Sequence, residues 1–143
     1  MAGRERSLSD VLKRGYSDDE LAHIFALGRF HLENGAYPRA LNVMRGLVTV
    51  APEFVPAWLG LAYIHLMNGN SETALSAARE AYKLQPSSPL VVLYLITALL
   101  SMGDVAAAGA YLGEVGESIE QGESSPDLVR YYRMQLARYK NLA

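Results

Sequence analysis

The sequence contains no cysteine. This absence excludes disulfides, zinc–thiolate sites, iron–sulfur clusters and a cysteine nucleophile. The sequence also lacks any run of about 18 apolar residues, the length that a membrane-spanning helix requires. Its first stretch, MAGRERSLSDVLKRG, mixes both charge signs and has no apolar core of the kind found in signal peptides. We therefore expect a cytoplasmic protein with no membrane segment.

An excess of basic residues is absent too. The 13 Lys and Arg are balanced by 15 Asp and Glu, which gives a formal net charge of −2. A protein that binds the phosphate backbone needs a basic face, so we expect no nucleic-acid partner. Half of the residues are apolar, enough for residues 1–143 to bury one continuous core as a single domain.

What the sequence does have is an internal repeat. Three residue types recur at intervals of 34 residues: Gly35, Gly69 and Gly103; Ala40, Ala74 and Ala108; Pro52 and Pro86. In the second unit the order Trp58, Leu61, Ala62 and His65 before Gly69 resembles the tetratricopeptide pattern. The apolar residues of each unit have helical spacing on both sides of a short polar turn, which predicts two antiparallel helices per unit.

The fold class predicted is therefore all-α, a right-handed superhelix of three tetratricopeptide helix-turn-helix repeats. The repeats occupy residues 21–122, preceded by a leader helix in 1–20 and followed by a capping helix in 123–143. Capping residues predict helix starts near residues 17, 88 and 126. Small residues are expected where paired helices approach closely: Gly28, Ala40, Ala62, Ala74 and Ala108. The helix that contains Gly109, Gly113 and Gly116 should be the least stable.

No group of residues suggests catalysis or metal binding. Asp18, Asp19 and Glu20 cluster at a predicted helix start, where negative charge is favourable. His31 and His65 occupy the same repeat position, which is aromatic in the tetratricopeptide pattern, so packing explains them better than ligation. We predict that the protein is not an enzyme and holds no cofactor or metal.

Binding is expected on the inner face of the first helix of each repeat, which is the usual binding surface of this architecture. The predicted positions there are mostly apolar, and an exposed apolar patch of this kind indicates a protein partner. The positions predicted from the repeat register are Phe25, Arg29, Leu32, Leu59, Tyr63, Leu66, Leu93 and Tyr94. The alternative is that some of them pack against the leader helix or a second subunit.

Several segments resemble the class II chaperones of bacterial type III secretion systems. The resemblance covers about residues 17–115 and rests on LAHIFALG at 21–28, NGAYPRA at 34–40, AWLGLA at 57–62 and NGN at 68–70. It implies a chaperone of the bacterial cytoplasm whose concave groove receives an extended apolar segment of a secreted translocator subunit and prevents its premature assembly. It also implies that Phe25, Leu32 and Tyr37 occupy the family's aromatic groove positions, with Leu32 departing from an aromatic residue and Arg29 replacing an apolar one.

Two alternatives stay open at this point. Related repeat chaperones hold the needle subunit, and a tetratricopeptide scaffold or adaptor in a static protein assembly has a similar sequence pattern. A homodimer, formed through Leu8, Val11 and Leu12 of the leader, and a complex with a co-chaperone are also open.

Overall fold

The structure is a computed structural model that describes residues 15–143. This part of the chain consists of α-helices joined by short turns, with no β-strand. The helices are α1 (Asp18–Glu33), α2 (Tyr37–Val50), α3 (Val55–Met67), α4 (Ser71–Leu84), α5 (Pro89–Ser101), α6 (Val105–Gln121) and α7 (Pro126–Leu142). Most of the predicted leader, including Leu8, Val11 and Leu12, lies outside the described residues.

Side-chain caps fix the predicted helix starts. Ser17 accepts a hydrogen bond from the Glu20 amide at 3.1 Å, and the Glu20 carboxylate accepts one from the Ser17 amide, also at 3.1 Å. This reciprocal capping box satisfies two backbone donors that the first turn of α1 would leave unpaired. Ser88 caps α5 and Ser125 caps α7 in the simpler one-way form, each before a first-turn proline. The predicted starts are confirmed.

Glycine ends the first helix of each pair. Gly35, Gly69 and Gly103 have φ angles of +74°, +77° and +82°. Side-chain-bearing residues rarely adopt this left-handed conformation, so glycine at these three positions allows the tight turn into the next helix. The 34-residue spacing of the glycines is therefore the spacing of the helix–helix turns.

The chain divides into two compact units, one ending at Leu61 and the other beginning at Ala62. The core of the first unit is organised around Met44, which is fully buried. A Cβ atom placed on Gly28 would lie 2.7 Å from the Met44 Cε atom, and one on Gly60 would lie 2.8 Å from the Met44 sulfur. Glycines on α1 and α3 thus make room for one large side chain of α2.

The second unit is built around α5, in which eight of the 13 residues are buried. This helix packs against α4, α6 and α7. The face of α4 that is buried in the core is small, since Ala74, Ala78 and Ala81 are fully inaccessible. Small side chains on one helix and large ones on its neighbour allow close packing without voids.

Helices α6 and α7 meet through glycines on one and tyrosines on the other. A Cβ atom on Gly109 would lie 2.7 Å from the Tyr139 hydroxyl oxygen, and one on Gly116 would overlap the Tyr132 hydroxyl. From the first pair to the second, the position advances by seven residues along α6 and goes back by seven along α7, as expected for antiparallel helices. Two of the three glycines of α6 therefore accommodate aromatic rings, whereas Gly113 faces open space.

Candidate functional site

Five of the predicted binding residues belong to the first unit. Four of them are half-buried, namely Phe25, Leu32, Tyr37 and Leu59, and the fifth, Arg29, is exposed. Phe25 packs edge-on against Phe54, with ring centroids 5.9 Å apart and an interplanar angle of 73°. Sequence analysis did not single out Phe54, which follows α2 and fixes one side of the Phe25 ring.

Arg29 makes only a weak internal contact. One of its guanidinium nitrogens lies 3.9 Å from the Glu33 carboxylate, one helical turn away, and both side chains are about two-thirds exposed. An ion pair of this kind contributes little to stability because water screens it. The guanidinium therefore remains accessible to an acidic group from outside.

The same unit exposes two large apolar residues that were not in the predicted set. Leu27 is 50% exposed and Phe30 is 58% exposed, both on α1. They lie three residues apart, so they occupy neighbouring positions on one side of that helix.

The second unit contains the other four predicted residues. Tyr63 is 40% exposed, whereas Leu66 and Tyr94 are half-buried. Leu93 is fully buried, which corrects the prediction for that residue: it belongs to the core of α5 and has no surface to offer a partner. The Tyr94 ring next to it packs edge-on against Tyr131 of α7, with centroids 5.9 Å apart and an interplanar angle of 86°.

Helix α7 completes this surface with a hydrogen-bonded group. The Thr97 hydroxyl donates to the Leu93 carbonyl oxygen at 2.7 Å and accepts from the Tyr131 hydroxyl at 2.6 Å. Arg138 donates to the Thr97 carbonyl oxygen at 3.5 Å and to the Ser101 hydroxyl at 3.1 Å. Arg138 thus brings a positive charge to the last turns of α5, where positive charge is favourable.

The electrostatics of the tyrosines follow from their burial. Burial raises the pKa of Tyr131 well above its usual value, an effect that the hydrogen bond with Thr97 and the charge of Arg138 only partly offset. Burial also raises the pKa of Tyr94, and the nearby Tyr63 adds to the shift. The three rings form a neutral surface with an apolar body and polar hydroxyl tips, which we call the tyrosine row: Tyr63, Tyr94 and Tyr131.

Sequence analysis missed Tyr131 and Arg138 as parts of this surface. A usable signal was present, because Ser88 and Ser125 are 37 residues apart and so are Tyr94 and Tyr131. Aligning α7 with α5 by their caps, rather than by the 34-residue period, places the two tyrosines at the same position.

The two histidines at the repeat position are partly or fully buried, whereas His23 is exposed. His65 is 7% exposed and His31 is half-buried, with the Phe30 ring edge-on to it at 5.8 Å. Within residues 15–143 no three His, Asp or Glu side chains come close enough to hold a metal ion. No helix in the same range is long and apolar enough to cross a membrane.

Solved structures with the same fold include type III secretion chaperones. The translocator chaperone SycD of Yersinia enterocolitica is 21% identical, with 93% of this chain and 99% of that chain covered and a TM-score of 0.78. SycD in complex with a peptide of the translocator YopD is 18% identical over 88% of this chain and 94% of the other, with a TM-score of 0.74. PcrH of Pseudomonas aeruginosa, in complex with the chaperone-binding region of PopD, is 19% identical over 90% and 94%, with a TM-score of 0.75. This similarity confirms the predicted fold class.

A curated relative extends the comparison beyond bacteria. The anaphase-promoting complex subunit cut9 of Schizosaccharomyces pombe is 29% identical over 87 residues, and the match spans 61% of this chain but only 13% of cut9. A family model described as tetratricopeptide repeat matches residues 25–89 and 68–118. The 34-residue period, the left-handed turn glycines and this match agree, and the chain belongs to the tetratricopeptide-repeat family.

Proposed function

We propose that this protein is a type III secretion chaperone of the bacterial cytoplasm. In this proposal it binds an extended apolar segment of a secreted translocator subunit and prevents that subunit from assembling early. The observation that carries the proposal is the tyrosine row, an aromatic surface that is 40% exposed at Tyr63 and half-buried at Tyr94 and Tyr131, on a fold shared with SycD and PcrH over most of their length. Both of those proteins have been crystallised with segments of translocators, YopD and PopD respectively.

The tyrosine row has the chemistry of a peptide-binding surface. Tyrosine rings offer large apolar contact areas with few rotatable bonds, and aromatic anchors dominate the binding energy of many protein interfaces. Tyr94 is held in place by the Tyr131 ring, which is itself fixed by its bond to Thr97. A surface that is ordered before binding loses less entropy when a flexible segment binds to it.

Residues of the first unit supply a second set of contacts in this proposal. Phe25 and Leu32 present apolar surface, and the accessible Arg29 guanidinium can pair with an acidic residue of the bound segment. An apolar segment covered in this way can neither insert into a membrane nor associate with its own copies, and no covalent chemistry is needed.

The test is co-expression with a translocator and with a needle subunit of the type III secretion system of the same organism, followed by co-purification. Tyr63→Glu places a charge in the tyrosine row and should abolish recovery of the translocator. Leu84→Glu is the matched control, because Leu84 is 41% exposed, close to the 40% of Tyr63, and lies on α4 of the same unit. The control should recover the translocator as the unmodified chain does.

Recovery of the needle subunit and not the translocator would support the needle-chaperone alternative and contradict the proposal. Recovery of the translocator by the Tyr63→Glu variant at the unmodified level would show that the tyrosine row is not the binding surface. Circular dichroism of both variants separates lost binding from lost folding.

A further inference from the structure

Helix α5 leaves a single stripe of its surface accessible. Eight of its 13 residues are buried. After the first residue, Pro89, those that keep accessible surface are spaced four, three and four residues apart: Leu90, Tyr94, Thr97 and Ser101. This spacing places the four residues on one side of the helix. We call them the α5 stripe, which includes Tyr94 of the tyrosine row.

The α5 stripe changes from apolar to polar along its length. Leu90 is 42% exposed, and the half-buried Tyr94 packs its ring edge-on against Tyr131. The other two members, Thr97 and Ser101, present hydroxyl groups and are half-buried. A polypeptide that lies against this stripe therefore meets apolar surface at one end and polar surface at the other.

Helix α7 brings a positive charge to the polar end of the stripe. Arg138 is half-buried and donates to the Thr97 carbonyl oxygen at 3.5 Å and to the Ser101 hydroxyl at 3.1 Å. Both acceptors are uncharged, and the first distance is long for an N–H···O hydrogen bond. A guanidinium has five N–H donors, so most of them remain for a further acceptor.

The charge of Arg138 is not neutralised by the part of the chain that the structure describes. No ion pair joins it to a carboxylate of residues 15–143. Asp104, which follows α5, caps α6 by accepting a hydrogen bond from the Ala107 amide at 3.2 Å. Burial raises the pKa of Tyr131, so this phenol stays neutral at neutral pH. The carbonyl end of a helix supplies only about half an elementary charge, which leaves the half-buried cation incompletely compensated.

We infer that Arg138 binds an Asp or Glu side chain of the bound segment, next to an apolar side chain that packs on Tyr94. This inference rests on the proposed chaperone function and adds an acidic residue to the segment that the groove accepts. Charge complementarity supports it, because a guanidinium and a carboxylate form paired hydrogen bonds that are stronger than those between neutral groups. A segment that covers the stripe also shields the pair from water, which strengthens the attraction.

The position of Arg138 sets the spacing of the two side chains in the segment. Its hydrogen bonds place the guanidinium between Thr97 and Ser101. The midpoint of these two residues lies about 7 Å beyond Tyr94 along the helix axis, at about 1.5 Å per residue. An extended chain advances about 3.3 Å per residue, and alternate side chains face the same way. We therefore expect the acidic and the apolar residue two positions apart.

Fluorescence anisotropy with labelled peptides provides the test. The probes are overlapping synthetic peptides of a translocator and of a needle subunit from the type III secretion system of the same organism, all with amidated C-termini. The peptides that bind should contain Asp or Glu two positions from an apolar residue. Replacing that acid with Asn or Gln should weaken binding to the unmodified chain at least about tenfold, and this comparison needs no protein variant.

Protein variants identify the group that reads the acid. Arg138→Gln removes the charge and should weaken binding of the acidic peptide by a similar factor, with little further loss once the acid itself has been replaced. Arg133→Gln is the matched control, because it makes the same change at an exposed position of α7, and it should bind as the unmodified chain does. Arg138→Glu should prefer a peptide in which arginine replaces the acid. Circular dichroism checks that each variant is folded.

The possible results separate this inference from the function on which it rests. Equal binding of the translocator peptides by the Arg138→Gln variant and the unmodified chain would overturn the inference and leave the chaperone function standing. Strictly additive effects of the protein and peptide changes, or binding only of peptides with a free C-terminus, would overturn it too. Binding of needle-subunit peptides alone, with the same dependence on Arg138, would support the inference and contradict the translocator as the cargo. Absence of binding by any peptide would contradict both.

Discussion

Gly116 of α6 lies directly beneath the phenol of Tyr132 in α7, so closely that a β-carbon at position 116 would overlap the hydroxyl oxygen. The Tyr132 ring is 6% exposed and has little freedom to move aside. The glycine is thus required by its neighbour, although glycine lowers the intrinsic stability of a helix.

Gly116→Ala should therefore destabilise the protein, by about 1–3 kcal/mol from overpacking, despite the better helix propensity of alanine. Gly113→Ala is the matched control in the same helix, since no atom lies within 4 Å of a β-carbon there. It should stabilise by up to about 1 kcal/mol. Urea unfolding followed by circular dichroism measures both.

Tyr132→Phe should relieve part of the strain in the Gly116→Ala variant, because it removes the atom nearest to the new methyl group. In a double-mutant cycle, the variant that carries both Gly116→Ala and Tyr132→Phe should therefore be more stable than the sum of the two single effects predicts. Strictly additive effects of the two changes would contradict the observed packing.

Tyr131 predicts a loss of stability in alkali. Its pKa is raised in the folded state, so above the ordinary tyrosine pKa of about 10 the unfolded chain releases a proton that the folded chain keeps. The free energy of unfolding is unaffected by this group below about pH 10 and falls as the pH rises beyond it. Tyr131→Phe should reduce the slope of that fall, measured by urea unfolding at a series of alkaline pH values.

At neutral pH the Tyr131→Phe variant should lose about 0.5–1.5 kcal/mol, the usual contribution of one hydrogen bond. The loss stays modest because Thr97 keeps its bond to the Leu93 carbonyl. If the slope in alkali were unchanged, the other tyrosines with raised pKa values would have to account for it, namely Tyr82, Tyr94 and Tyr132.

Phe25 and Phe30 should respond differently to the same charge. Phe25→Glu removes an edge-on contact with Phe54, which contributes about 0.5–1.5 kcal/mol beyond the apolar burial. Phe30, which is 58% exposed, should tolerate glutamate with a change within about 0.5 kcal/mol. Thermal unfolding of the two variants provides the comparison, and equal melting temperatures would contradict the assignment of Phe25 to a packed pair.

Ala74→Leu should cost about 1–3 kcal/mol, because Ala74 is fully buried between α4 and its neighbours. Ala110→Leu places the same side chain on an exposed position of α6 and should be nearly neutral. A neutral Ala74→Leu variant, measured by urea unfolding, would show that the register of the repeat differs from the one described.

Local rules account for the parts of the fold that the sequence predicted. The cap at Ser17 and the turn at Gly35 depend on residues within one helical turn of each other, so their effect can be inferred without tertiary structure. The 34-residue spacing then repeats the same local solution, which is why the positions of the turns at Gly69 and Gly103 were also predicted correctly.

Contacts that depend on helix register were not predictable in the same way. The periodic pattern assigned Leu93 to the binding surface, but α5 packs against α4, α6 and α7, and the Leu93 side chain is fully buried. Helix α7 is offset from α5 by 37 residues, three more than the 34-residue repeat period. Because the prediction followed the 34-residue period, it did not include Tyr131. Likewise, the sequence did not indicate that Gly109 and Gly116 of α6 lie against tyrosine rings. That α6 is the least stable helix stays a prediction.

Thr97 joins α5 to two different residues of α7, through its side chain to Tyr131 and through its carbonyl to Arg138. Replacing Thr97 with an apolar residue removes the shorter of the two hydrogen bonds of the Tyr131 hydroxyl, which otherwise reaches only the Leu93 carbonyl at 3.4 Å, and replacing Tyr131 leaves the Thr97 hydroxyl with its bond to Leu93 alone. Natural selection therefore acts on these positions jointly. Among homologues that keep the same final helix, residues 97 and 131 should change together, and an alignment deep enough to reveal covariation will detect the pair.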